Sequence, residues 1–214
     1  MASFTLSTLR ANHQPSFKKN TAHWDRHIRE FWDTNSDRYY EMFYLCNKLV
    51  GCYKILDVGA EYYNKYMKQI LFPQDAFLPD KEFCVVDIKD KDNPDISGIE
   101  GLDNYFKTDL TKDNIPDKFK RYFDAVISFG VLSAYDINEE QCIKYINNIH
   151  DALKVDGICA IKLDLFRMHR NPSFPPLEKL MGFIKEKFSV FDFDAILDDS
   201  NNTEYLIYYT RPLL

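Results

Sequence analysis

Apolar and polar positions follow two rhythms along the 214 residues. From Thr21 to Leu49 the period is helical, with Trp24, His27, Ile28, Phe31 and Trp32 at i, i+3, i+4, i+7 and i+8. Asn35, Ser36 and Asp37 interrupt it, and Ser36 or Asp37 is placed to N-cap a second helix carrying Tyr40, Phe43, Tyr44 and Leu49. Beyond residue 50, short apolar runs alternate with helical stretches. The runs Lys54–Val58 (KILDV), Phe83–Ile88 (FCVVDI), Tyr105–Thr108, Phe123–Phe129 (FDAVISF), Ile158–Leu165 (ICAIKLDL), Ser189–Ile196 and Glu204–Thr210 read as seven strands. Tyr62–Phe72, Ile137–Leu153 and Leu177–Lys187 read as helices, the second capped by Asp136 or Asn138 and followed by a turn at Asp156 and Gly157. Strands that are apolar at successive positions are buried on both faces, which predicts a parallel sheet between helical layers. The strand–loop–strand ending predicts an antiparallel hairpin. The expected fold is an α/β three-layer sandwich with a mostly parallel seven-stranded sheet and that C-terminal hairpin, spanning residues 50–214. Residues 1–49 are expected to be an arm followed by helices.

Composition narrows the function. No run of about 18 uncharged apolar residues occurs, so no transmembrane helix is expected. The first twenty residues hold Arg10, His13, Lys18 and Lys19 and no apolar core, so no secretory signal is expected. A net charge of −6 argues against nucleic acid as the main partner. Cys46, Cys52, Cys84, Cys142 and Cys159 form no CxxC pair, which points to buried thiols in a reducing, cytoplasmic compartment. The seven glycines allow neither GxGxxG nor GxxxxGK[ST], which excludes the usual dinucleotide fingerprint and the Walker A loop.

The ends of the strands carry the candidate chemistry. In an open α/β sheet, ligands bind beyond the carboxyl ends of the strands at the switch point. Those ends carry, in order, Gly59, Asp87, Asp109 and Ser128 to Gly130. A carboxylate ending the second strand suits a ribose diol, and a polar residue ending the third suits an exocyclic adenine amine. Ile88 and Leu110 are placed to sandwich a purine. Any one of these aspartates is more often a turn former. The ordered set points to an adenosine ligand.

Five segments in that order carry a resemblance: LDVGA at 56–60, VVDI at 85–88, KTDL at 107–110, FDAVISFGVLS at 123–133 and LKVDGICAIKLDL at 153–165. Together they resemble the successive motifs of class I S-adenosylmethionine-dependent methyltransferases, over roughly residues 50–210. The resemblance implies S-adenosylmethionine as cofactor. It implies Asp57 and Gly59 under the methionine, Asp87 on the ribose, Asp109 and Leu110 at the adenine, and Ser128 and Phe129 beside the methionine and methyl group, with Ala60 and Ile88 as further cofactor-binding residues. It also implies that the aromatic helices from Trp24 to Tyr44 form a lid. The family's later glycines are replaced here by Glu61 and Tyr63. Glycine at such positions lets backbone approach a ligand, and Glu61 brings a carboxylate toward the cofactor's own.

Methyl transfer from a sulfonium is an in-line displacement governed by proximity and orientation. A neutral amine needs little more, whereas a hydroxyl acceptor needs a base or a metal. Tyr135, Asp136, Lys162, Asp164 and His169 follow the fourth and fifth strands and are the candidate catalytic groups. Lys162 and Asp164 share a strand face by the period of two, a pattern that more often marks a structural ion pair. His169 lies in the polar loop 166–176, and His150 beside Asp151 reads as a surface or packing residue. His23 and His27 have i, i+4 spacing but Trp24 where a zincin has glutamate, and the run Asp87, Asp90, Asp92, Asp95 reads as a solvated loop, so no metal is expected. The favoured function is methyl transfer to a small polar acceptor such as a sugar or nucleotide-sugar. Glu61 and Tyr63 motivate an alternative, an inactive methyltransferase-like binding or scaffold subunit. A lysine on strand five motivates a third reading, an RNA methyltransferase, which the acidic charge and the absence of Asp after strand four oppose.

Overall fold

The computed structural model describes residues 49, 51–60, 81–99, 102–129, 131–134, 136–164, 171–197 and 203–210. The arm and helices expected over 1–48, the helix expected at Tyr62–Phe72, and Glu61, Tyr63, Gly130, Tyr135 and His169 lie outside the described residues. The side chains of Asp164, of residues 190–197 and of residues 203–210 do too. Among the described residues, no helix is long and apolar enough to cross a membrane.

The described elements are β1 (Lys54–Val58), β2 (Glu82–Asp87), α1 (Pro94–Ser97), β3 (Asn104–Lys107), β4 (Phe123–Phe129), α2 (Val131–Ala134), α3 (Glu139–Ala152), β5 (Leu153–Asp164), α4 (Leu177–Lys187), β6 (Ser189–Leu197) and β7 (Thr203–Thr210). Five strands run parallel in the order β3-β2-β1-β4-β5, and β7 and then β6 follow with antiparallel pairing. β1 lies between β2 and β4, so the chain builds outward to β3 and then crosses back over β1.

Successive side chains of the parallel strands enter two separate cores, as continuous apolar runs require. On one face Leu56, Val58, Cys84, Val86, Val126, Ile161 and Leu163 pack with Cys142, Tyr145, Ile146 and Ile149 of α3 and Leu180, Met181 and Ile184 of α4. On the other face Ile55, Phe83, Val85, Ala125, Ile127, Phe129 and Ala160 pack with Ile96 of α1 and with Ile99.

Several boundaries differ from the sequence expectation. β2 and β3 each end one residue early, because their ladder closes at Asp87 opposite Lys107. Ile88 is thereby released from the sheet and is 51% exposed. α3 starts at Glu139 rather than Ile137, because Asn138 is the cap. Its side chain accepts from the Gln141 N–H while the Gln141 side chain accepts from the Asn138 N–H, a reciprocal capping box. The turn expected at Asp156 and Gly157 occurs inside β5, which starts at Leu153 rather than Ile158. Leu153 pairs with Phe123, and pairing resumes at Ile158 opposite Ala125. Asp156 takes φ 60° in this bulge, and a Cβ on Gly157 would lie 2.9 Å from the Lys154 carbonyl oxygen.

At the amino-terminal edge of the sheet, Asp124 ties three strands together. Its Oδ2 accepts from the N–H groups of Tyr53 and Lys54 at 3.0 and 2.9 Å, and Oδ1 meets Lys154 Nζ at 2.6 Å. Burial alone would raise its pKa, but the bonds from Lys154, Lys54 and Tyr53 outweigh this and hold it below the ordinary value. A carboxylate depressed in the folded state contributes stability above its unfolded pKa of about 4, and that stability is lost as pH falls through the folded value. Asp124→Asn is therefore expected to lower unfolding stability by about 2 kcal/mol at pH 7 in urea titration. It should also flatten the loss of stability on acidification below about pH 4. An unchanged urea midpoint would remove Asp124 from this role.

Candidate functional site

The parallel register sets the carboxyl ends of β1, β2 and β3 side by side. Val58 pairs with Val86, and Asp87 pairs with Lys107. A cavity of about 190 Å³ opens there, bounded by Gly59, Asp87, Ile88 and residues 108–112. Val58, Val86, Val131, Ile137 and Tyr145 supply its apolar lining, with Asp136 and Gln141 on the α3 side.

Gly59 ends β1 with φ 74°, and its N–H donates to the Val86 carbonyl at 2.8 Å. A Cβ there would lie 2.3 Å from Val131 Cγ2, so both backbone angle and packing require glycine. Asp87 is 7% exposed, and its Oδ1 accepts from the Lys89 N–H at 2.8 Å, which fixes the carboxylate at the cavity. Its carbonyl accepts from the Thr108 N–H at 2.9 Å. Tyr105 braces this turn by donating its hydroxyl to the Lys89 carbonyl. Burial, then the charges of Asp87 and Asp90, push the Tyr105 phenol up to about 12.

Asp109 is engaged within its own turn. Oδ1 accepts from the Thr111 N–H at 3.0 Å and the Thr111 hydroxyl at 2.6 Å, and Oδ2 meets Lys112 Nζ at 2.8 Å. Burial raises its pKa, but the bonds from Lys112 and Thr111 prevail and hold it low, so it is ionised at neutral pH. Leu110 is buried and faces the cavity, and the exposed Ile88 also borders it.

The structure thus gathers Gly59, Asp87, Ile88, Asp109 and Leu110 around one cavity. Four other residues expected at the site are buried and are not among the cavity's lining residues. Ala60 and Phe129 belong to the second core, and Asp57 is fully buried in β1. Ser128 Oγ lies 2.6 Å from the Tyr145 hydroxyl. Burial holds the Tyr145 phenol far above its ordinary pKa. Lys162 is 3% exposed on β5, between Ile161 and Leu163 of the first core, and its side chain therefore enters the sheet face opposite α3. In the acidic run, Asp90 pairs with Lys107 at 2.5 Å and Asp92 is exposed. His150 stacks edge-on against Phe188 with ring centroids 5.4 Å apart, a packing role.

The sequence reading did not single out Val131, Thr108, Thr111, Lys112, Gln141 or Tyr145. Tyr145 lies on the apolar face of α3 with Cys142 and Ile149, so its pattern is that of any core residue. Its place beneath the strand ends follows from how α3 crosses the sheet. Lys112, three residues after Asp109, was the more readable of the group.

The sequence matches no protein-family model and no curated protein. Solved structures do match. The N-methyltransferase NodS from Bradyrhizobium japonicum superposes with a TM-score of 0.65 at 14% identity, covering 85% of this chain and 100% of that one. The 1,6-didemethyltoxoflavin N1-methyltransferase from Burkholderia thailandensis, solved with S-adenosylhomocysteine, gives 0.62 at 13% identity over 93% and 94% of the two chains. The [4+2]-cyclase SpnF gives 0.59 at 13% identity over 95% and 89%. At these identities the likeness is one of architecture, and it agrees with the strand order and with a cavity at the strand ends: the chain has the fold of the class I S-adenosylmethionine-dependent methyltransferases.

Proposed function

We propose that this chain binds S-adenosylmethionine at the cavity beyond β1, β2 and β3 and transfers its methyl group to a small polar acceptor, such as a sugar or nucleotide-sugar. The observation that carries the reading is the set Gly59, Asp87, Ile88 and Leu110 around one cavity at adjacent parallel strand ends. These residues fit the adenosine half of the ligand. The Asp87 carboxylate, oriented by Lys89, suits a ribose diol, and Ile88 and Leu110 offer aliphatic surface to a purine. When bound, the cofactor supplies an electrophilic sulfonium methyl. The chain's task is then to hold donor and acceptor in line and to exclude water. Asp57, Ala60, Ser128 and Phe129 would support the methionine side from beneath. An amine acceptor needs no dedicated base. For a hydroxyl, the candidate catalytic groups are Tyr135, Asp136, Asp164 and His169, of which Asp136 borders the cavity, whereas Lys162 is buried on the sheet face opposite α3. The same reading takes residues 50–214 as the complete seven-stranded sandwich closed by the β6–β7 hairpin, with 1–49 as an arm and helical lid.

Glu61 and Tyr63, which replace glycines of the family motif, support the second reading, a binding or scaffold subunit without turnover. The likeness to a cyclase also supports an activity other than methylation on the same fold.

Calorimetry of the native chain with S-adenosylmethionine and S-adenosylhomocysteine is expected to show one site per chain, and absence of binding to both would overturn the proposal. Asp87→Asn should weaken S-adenosylhomocysteine about a hundredfold, about 3 kcal/mol, through lost charge-assisted bonds to the ribose. Unchanged affinity in a folded variant would remove the ribose assignment. Glu61→Gly separates the two readings. Equal or weaker binding is expected if Glu61 serves the cofactor ammonium in a working enzyme, whereas marked tightening would favour the non-catalytic subunit.

A further inference from the structure

Helix α3 carries one asparagine into the core behind the cavity. Asn148 is 3% exposed and lies one turn beyond Tyr145, which lines the cavity. Its Oδ1 accepts from the Ile115 N–H at 2.9 Å, and its Nδ2 donates to the Leu110 carbonyl at 2.8 Å and the Asp113 carbonyl at 2.7 Å. One carboxamide thus uses both amide hydrogens and its oxygen on three backbone groups of a single loop, 110–115. None of these three bonds belongs to a helix or strand ladder.

Asparagine is an indifferent helix former, and its burial is unfavourable unless it is bonded. A leucine at position 148 would fill similar space without a polar group to satisfy. The bonds to the loop are what only the carboxamide supplies, and without them the buried Leu110 carbonyl and Ile115 N–H would lack these partners in the interior. The loop so held is the one whose first residues, Leu110, Thr111 and Lys112, form a wall of the cavity. Asp109 secures the same wall from its other end by bonding Thr111 and Lys112. Asn148 touches the wall only from behind and is not itself among the cavity's lining residues.

We propose that Asn148 is a positioning residue that sets the wall against which the nucleoside base rests, and through it the site's selectivity for that base. This inference rests on the adenosine reading of the cavity. A wall ordered before the ligand arrives spares the ligand the entropy of ordering it. Discrimination between bases that differ by one polar group also requires backbone donors and acceptors held at fixed positions. A loop released from α3 can follow either base.

The test compares S-adenosylhomocysteine with S-inosylhomocysteine, in which a carbonyl replaces the exocyclic amine, on the native chain, Asn148→Ala and Asn148→Asp. Calorimetry gives the affinity ratio and amide hydrogen exchange reports the loop. The native chain is expected to prefer the adenine compound by about tenfold or more, and Asn148→Ala to lose most of that preference. The Ile115 amide should exchange at least about tenfold faster in Asn148→Ala, while amides in α4 keep native rates. Asn148→Asp keeps an acceptor for Ile115 but sets a carboxylate against the Leu110 and Asp113 carbonyls. It should retain more protection at Ile115 and still lose base preference. Should Asn148→Ala fail to fold, Asn148→Asp carries the comparison alone. Native preference retained in the folded variants, or both ligands weakened by the same factor, overturns the role of Asn148 while leaving the adenosine reading intact. A native chain that binds neither compound overturns both, and one that binds them equally overturns base selectivity.

Discussion

The parallel hydrogen-bonding register of β1 with its neighbours is the constraint on which the rest depends. β1 pairs with β2 on one side and β4 on the other, both parallel, so all three strands deliver their carboxyl ends to the same edge of the sheet. β3 adds its end next to that of β2. A shift of one residue in either ladder would exchange the two faces of a strand and move Val58 and Val86 out of the first core. Because those strands are buried on both faces, such a slip would also misplace Ile55, Phe83 and Val85. The packing of two cores thus enforces the alignment of Gly59, Asp87 and Asp109, although none of the three belongs to either core.

Around that edge, backbone geometry is completed by side chains that are themselves held. Gly59 allows β1 to close against Val131, Tyr105 braces the turn after β2, and Asp109 binds its own turn after β3. Asn148 and the Ser128–Tyr145 pair connect helix α3 to the loop after β3 and to the end of β4. Asn148, Ser128 and Tyr145 are buried and bonded, and they join the site to elements distant in sequence. The cavity is therefore shaped by bonds among the protein's own groups.

Much of this was legible in the chain. β1 and β4 coincide with the apolar runs at 54–58 and 123–129, and α4 with the helical pattern at 177–187, because each run is bounded by residues that leave its geometry. Asp87 and Gly59 were readable as residues bordering the cavity because strand ends in a parallel sheet have only one edge to go to. Boundaries set by pairing were less readable. Ile88 is apolar and β-branched and so continued the strand pattern, yet the ladder had already closed at Asp87.

What the sequence alone determined is the class of fold, the order of the strand ends and the residues they bring to one edge, since hydrophobic period and chain connectivity are local and additive signals. The tertiary structure decided which of those residues face the cavity. Ser128 turns to Tyr145, Asp57 and Phe129 are enclosed, and Asp109 spends its carboxylate on Thr111 and Lys112. It also decided that Tyr145 and Asn148, unremarkable members of a helical pattern, stand at and behind the cavity. The physical reason is that a side chain's direction and partners depend on how α3 crosses the sheet. That crossing is fixed by the packing of residues far apart in the chain, and no local pattern encodes it.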